Sequence, residues 1–252
     1  MKFRLVDLSH PWAWNTPPWV GYDSPRVYYQ QRSPTNGIVS QWIETSLHIG
    51  THFDAPLHYA PGGLDMASFP LEKLCADGVI VDVSDKVGEW DLIEPELITD
   101  KVEVRPGDIL IIHTGWHHFY THGDRPDETK YFCRHPGGSV RLAEWIVKMK
   151  LKWIGIDAGS ADHPMNTSIR HKRPDLAKEY ERKMKKSIAE IFREEDYFIM
   201  HKLPFPQGIP HAENIGGDIE QVLNKRCVIG AFPWKFVGGE ASICRIVAFL
   251  ED

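Results

Sequence analysis

The chain has 252 residues, with 35 acidic against 29 basic side chains and a formal net charge of −6. That balance argues against a nucleic-acid or anionic-membrane partner, because binding phosphate needs a basic surface. Hydrophobic residues make up 42% and charged residues 25%, ordinary for a globular protein, and the length is enough for one large domain with a real core or two small ones.

The start, "MKFRLVDLSHPW", is broken by charge and proline and does not read as a secretory signal. No segment approaches the ~20 apolar residues of a membrane-spanning helix. The four cysteines (Cys75, Cys133, Cys227, Cys244) are scattered and form no CxxC pair. They read as free thiols, so a cytoplasmic location is expected.

In chain order, the run 3–8 reads as a first strand. The segment "PWAWNTPPWVGYD" follows, carrying Trp12, Trp14 and Trp19 among prolines. Extended proline-rich chain leaves indoles that want cover, either as walls of an aromatic pocket or against a neighbouring subunit. From residue 43, Ile43, Thr45, Leu47 and Ile49 alternate with Glu44, Ser46 and His48. This predicts a strand with His48 on its polar face, followed by a bend at Gly50. Pro56 is expected to stop any ladder or helix.

Apolar runs at 79–83, 109–113, 153–157, 228–232 and 244–250 read as strands covered on both faces, since their apolarity is continuous. Ser139 is placed to cap a helix over 140–150, between the strands at 109–113 and 153–157. A second helix is predicted over 176–195, where Leu176, Tyr180, Met184, Ile188, Ile191 and Phe192 recur at helical spacing beside a charged, solvated face. The order implies one α/β domain with a mixed β-sheet and flanking helices.

The histidines at 113, 117, 118 and 122 read as a surface or pocket-edge loop, and Asp157 as a structural residue at a strand end. "GGE" at 238–240 has no phosphate-loop character.

The chemistry concentrates in "HIGTHFDAPLH", residues 48–58. Two imidazoles and a carboxylate, His48, His52 and Asp54, suit a divalent ion such as Zn²⁺ or Mn²⁺. Three protein ligands leave a position open for water, the catalytic rather than the structural arrangement. His58, past the proline, can face that water without binding the metal. The segment lacks H-E-x-x-H and is not helical, which sets a metalloprotease aside.

The pattern H-x-G-T-H-x-D-A-P-x-H resembles the signature of the cyclase family of metal-dependent hydrolases, which includes bacterial kynurenine formamidase and isatin hydrolase. "VDLSHPW", "RPGDILIIHTGW", "IGIDAGSAD", "MHKLPFPQGIPHAENIGG" and "AFPWKFVGGEASICRIVAFL" are similar to further blocks of that family. The resemblance implies a swivelling β/α/β fold. It also implies His48, His52 and Asp54 as metal ligands and His58 as general acid/base. A second metal would be held by Asp54 with His201 and Glu213, His211 being a rival for the histidine role.

The implied cofactor is one or two Zn²⁺ or Mn²⁺ ions. The implied reaction is hydrolysis of the C–N or C–O bond of a small amide, cyclic amide or lactone by a metal-activated water. A lyase or cyclisation enzyme, or a non-catalytic metal-dependent binder, is the alternative. About forty residues separate "GIDAGSAD" from His201, more than in compact formamidases, so 163–199 is expected to be a helical insertion that reshapes the pocket. The expected partner is a small, possibly aromatic, substrate. A homodimer or homotetramer is expected.

Overall fold

The computed structural model describes residues 3–251. Its parallel centre forms where the sequence is continuously apolar. Strands Cys75–Asp82, Ile109–His113 and Trp153–Ile156 lie side by side in parallel, with Ile111 opposite both Ile80 and Gly155. Successive side chains in a strand point to opposite faces. Ile109 and Ile111 enter one core with Phe53, Trp153 and Ile246. Leu110 and Ile112 enter a second core with Leu142 and Ile146. Both faces are therefore covered, which is why these runs do not alternate.

Antiparallel strands Lys225–Pro233 and Ala241–Glu251 extend the sheet beyond Cys75–Asp82. On the far side, His211–Glu213 runs parallel to Trp153–Ile156 and antiparallel to His52–Asp54. The start of Ala241–Glu251 also pairs with His52–Asp54, closing the eight-stranded mixed sheet into a barrel, while its far end pairs with Phe3–Asp7. The expected α/β architecture is the one observed. Helix Val140–Met149 starts as anticipated, with the Leu142 N–H donating to Ser139 Oγ at 3.1 Å, and crosses between the strands on either side of it.

Three local expectations fail. The helix predicted over 176–195 is broken: Pro174–Met184 ends at Lys185, which is left-handed (φ 55°), and Ile188–Ile191 restarts on a Ser187–Glu190 capping box. A serine that caps a new turn competes with continuing the old one. Leu176, Tyr180 and Phe192 are buried, but Met184 is exposed. The segment 163–199 is nevertheless a succession of short helices.

The strand predicted through residue 49 stops at Glu44. Among the described residues, Ser40–Glu44 pairs only with Arg26–Gln31, in a hairpin whose Trp42 and Ile43 are exposed. His48 therefore sits off any strand, whereas His52 and Asp54 lie on one. Pro56 does block the ladder, but it also opens a single 3₁₀ turn, Pro56–His58, where its missing N–H costs nothing. The third failure, the histidine loop, is partial: His113 and His117 are buried, whereas His118 is half-buried and His122 is at the surface as expected.

Candidate metal centre

Strand register gathers the centre. Asp54 lies opposite His211 and His52 opposite Glu213 in the antiparallel pair. Residues two apart share a face, so His52, Asp54, His211 and Glu213 converge on one side of the sheet. His48 reaches the same point from the loop before Gly50, and His201 from helix Ile199–Lys202. Gly50 is required at its turn: its φ is +62°, and a Cβ there would stand 2.9 Å from Trp12 Cδ1.

Asp54 is fully buried and is the hub. His48 Nδ1 lies 3.0 Å and His52 Nε2 3.3 Å from its Oδ1. His211 Nε2 lies 3.6 Å and His201 Nε2 3.9 Å from its Oδ2. Glu213 Oε1 is 3.5 Å from His211 Nε2, and Oε2 is 3.8 Å from His52 Nε2. Each carboxylate oxygen of Asp54 thus faces its own set of donors.

Neighbouring groups fix the histidine protons. The Gly50 carbonyl can only accept, so His52 Nδ1–H donates to it at 2.9 Å and Nε2 keeps a lone pair. His201 Nδ1–H donates to Asp162 at 2.6 Å, leaving its Nε2 bare as well. Glu213 Oε1 accepts from Ser160 Oγ and the Ala161 N–H, both at 3.0 Å. One oxygen of Glu240 takes His48 Nε2 at 2.7 Å and His58 Nδ1 at 2.9 Å. The Glu240 backbone carbonyl accepts from Ala55 N–H, which fixes that residue beside the signature segment.

The electrostatics match a cation-seeking centre. Burial opposes the charge of Asp54, but His48 and His52 hold its carboxyl well below the usual range. Burial and the Asp54 charge push Glu213 well above it. Burial opposes a charged His48, yet Asp54 and Glu240 raise its pKa well above the usual value. Burial, with His211 beside it, lowers His201 to about 4. Half-burial opposes the charge of Glu240, and the rings of His48 and His58 overcome it and draw its pKa to about 2.

Every residue singled out in the sequence (His48, His52, Asp54, His58, His201, Glu213 and the rival His211) is brought to this centre, and both rival histidines put a nitrogen at Asp54 Oδ2. Glu240, Asp162 and Ser160 were missed. All three stood inside quoted blocks, Asp162 and Ser160 in "IGIDAGSAD" and Glu240 in "AFPWKFVGGEASICRIVAFL", but were given no role at the centre.

The family model described as "Putative cyclase" matches residues 6–163, which include the 48–58 segment. The chain belongs to the cyclase family. Among curated relatives of this cyclase-family chain, the kynurenine formamidase of Erythrobacter litoralis is 26% identical over 249 residues, covering 97% of this chain and 93% of that protein. The kynurenine formamidase of Bordetella avium is 30% identical over 164 residues, 63% of this chain and 71% of that protein. Isatin hydrolase A from Labrenzia aggregata, solved with benzyl benzoate, superposes with a TM-score of 0.78 at 19% identity over 99% of this chain and 94% of its own. That likeness establishes a shared fold.

A separate buried cluster surrounds Asp157 in this cyclase-family chain. Thr114 donates to Oδ1 from N–H (2.8 Å) and Oγ (2.6 Å), and His117 Nδ1 lies 3.1 Å from Oδ2. Asp157 thereby ties the loop after strand Ile109–His113 to the neighbouring strand. Burial opposes its charge, but His117, His113 and Thr114 keep its carboxyl below the usual range.

Proposed function

We propose that this protein is a metal-dependent hydrolase of a small amide, cyclic amide or lactone. The observation that carries the reading is Asp54, a buried carboxylate with each oxygen turned toward a different pair of histidines. His52 Nε2 and both Asp54 oxygens are buried without a hydrogen bond of sound geometry. Buried unpaired polar atoms are costly, and several aimed at one point fit a cation.

His48 and His52 with Asp54 would hold one Zn²⁺ or Mn²⁺. His201 and Glu213 with Asp54, and His211 beside them, would hold a second. A bound divalent ion would supply Lewis acidity toward water and the substrate carbonyl. Three-ligand nitrogen and oxygen sets suit either metal.

The chain's own groups do the rest. Glu240 keeps a proton on His58 Nδ1, which leaves Nε2 to take a proton from the attacking water and pass it to the leaving nitrogen or oxygen. Such positioned acid/base help is worth ~10²–10⁴ in rate. A cavity of about 310 Å³ beside the centre is walled by Trp19, Tyr22, Tyr59 and Phe198, which favours a small aromatic substrate. Hydrolysis by the relatives named as kynurenine formamidases supports an amide C–N bond as the target.

Phe198 belongs to the segment 163–199, which we read as an insertion because about forty residues separate "GIDAGSAD" from His201. The assembly we propose is a closed homo-oligomer. The hairpin Arg26–Gln31 and Ser40–Glu44 exposes Tyr28, Val39, Trp42 and Ile43. An isolated two-stranded hairpin is marginal in water, so a second copy is the expected cover. Light scattering that found only a 28.9 kDa species would refute this.

The deciding experiment pairs two variants. His58→Ala is expected to keep its metal and lose most of kcat. Asp54→Ala is expected to lose metal from the whole centre. Full metal occupancy in Asp54→Ala, by elemental analysis, would end the proposal.

A further inference from the structure

Lys172 stands at the mouth of the aromatic cavity in an unusual setting for a surface lysine. It ends the short helix Ile169–Lys172, and its Nζ donates to the Val20 carbonyl at 2.8 Å. The ammonium lies over the Trp19 ring at 4.7 Å and the Tyr22 ring at 5.9 Å. Gly21 makes room for it: φ there is +91°, and a side chain would collide with Lys172 Nζ and Cε. A long, flexible side chain is thus seated between a carbonyl, two aromatic faces and a glycine, with much of its ordering already done before any ligand arrives.

The charge pattern around it is selective. Its neighbours Arg170 and Arg173 are neutralised by Glu194 and Asp175. Lys172 has no carboxylate partner among the described residues, and it is the one lysine or arginine among those lining the cavity. An ammonium has three N–H donors, so two stay free after the bond to Val20. Ser168 lines the same cavity one helical turn earlier and adds a hydroxyl. A carboxylate is the group that such a pair satisfies, through charge-assisted hydrogen bonds.

We infer that Lys172 is a specificity-determining residue that selects an aromatic substrate carrying a carboxylate on the part of the molecule away from the scissile bond. This rests on the hydrolase reading above. The substrate class becomes aromatic N-acyl or cyclic amides and lactones with an anionic substituent, recognised by the ammonium with the Ser168 hydroxyl.

The test uses the metal-loaded full chain with 2-, 3- and 4-formamidobenzoate and with formanilide, which lacks only the carboxylate. The wild type is expected to favour at least one formamidobenzoate over formanilide by about tenfold or more in kcat/KM, a modest value for one charged contact. Lys172→Met is expected to erase that ratio chiefly through KM, and Lys172→Arg to retain it. An equal loss on all four compounds would mean that Lys172 only braces the Trp19–Tyr22 loop, and would overturn the inference, as would a wild type indifferent to the carboxylate. If the wild type hydrolyses none of them, the hydrolase reading fails on these amides. Calorimetry with the three aminobenzoates and aniline then decides the Lys172 inference separately. Aminobenzoate binding that weakens about tenfold in Lys172→Met upholds it, and unchanged affinity overturns it.

Discussion

His201 Nδ1 lies 2.6 Å from Asp162 Oδ2, and both side chains are buried. The other Asp162 oxygen accepts the Met200 N–H at 2.9 Å. The carboxylate therefore receives two donors and has no donor of its own, which fixes the His201 proton on Nδ1 and turns a bare Nε2 toward Asp54. Asp162→Asn breaks this whichever way the amide is turned. Its NH₂ must face either His201 Nδ1–H or Met200 N–H. Either His201 changes tautomer and protonates the nitrogen aimed at the centre, or helix Ile199–Lys202 shifts. The expected result is a loss of about 10–100-fold in metal affinity, the usual cost of removing such a partner, with less effect on the pair His48 and His52. Competition with a chromophoric chelator measures it, and an unchanged affinity would show that His201 is not a ligand.

Glu240 couples two histidines through a single oxygen. Glutamine in its place keeps the length and an accepting oxygen but removes the negative charge that faces His58 Nδ1. Glu240→Gln is expected to retain metal and lower kcat about tenfold, or ~1.4 kcal/mol in the barrier. Glu240→Ala, which frees both rings, is expected to lose about a hundredfold or more, within the range for acid/base catalysis. Steady-state kinetics beside metal analysis checks both. Equal kcat in wild type and Glu240→Ala would remove Glu240 from the proton path.

These two carboxylates also mark where sequence reading ran out. The strands at 109–113 and 153–156 and the helix after Ser139 were legible because their signals are local: continuous apolarity and a cap next to a periodic run. The types of the metal-seeking residues were legible because H-x-G-T-H-x-D-A-P-x-H is dense. Their geometry was not. The three-residue strand His52–Asp54 is too short to carry a period, and it exists because it pairs with His211–Glu213 and with the start of Ala241–Glu251, both far along the chain. Glu240 is held beside the signature segment by its backbone bond to Ala55, which no spacing announces. The break at Lys185 turned on a competition between a capping serine and an amphipathic pattern, and the pattern alone favoured one helix.

Two buried histidines, His163 and His135, contribute to the protein's response to acid. His163 is fully buried; its Nε2–H donates to the Trp90 carbonyl at 3.0 Å and its Nδ1 accepts from Met165 N–H at 3.1 Å. Burial lowers its pKa from 6.5 to about 3, and likewise that of His135 to about 4. Below pH 6.5 the unfolded chain binds protons that the folded chain refuses. Stability from these neutral histidines is therefore complete above about pH 6.5 and is lost as pH falls toward 3–4, by up to about 1.4 kcal/mol per pH unit for each group. His163→Gln removes one such group. At pH 7 the variant is expected to be less stable by about 1–3 kcal/mol, the cost of disturbing buried hydrogen bonds. The deficit should shrink as pH drops below 6, because only the wild type continues to pay for exposing a histidine that wants a proton. Urea unfolding of both proteins at pH 7, 6 and 5 reads the difference directly. A deficit constant across that range would mean that His163 takes up its proton in the folded protein as readily as in the unfolded chain.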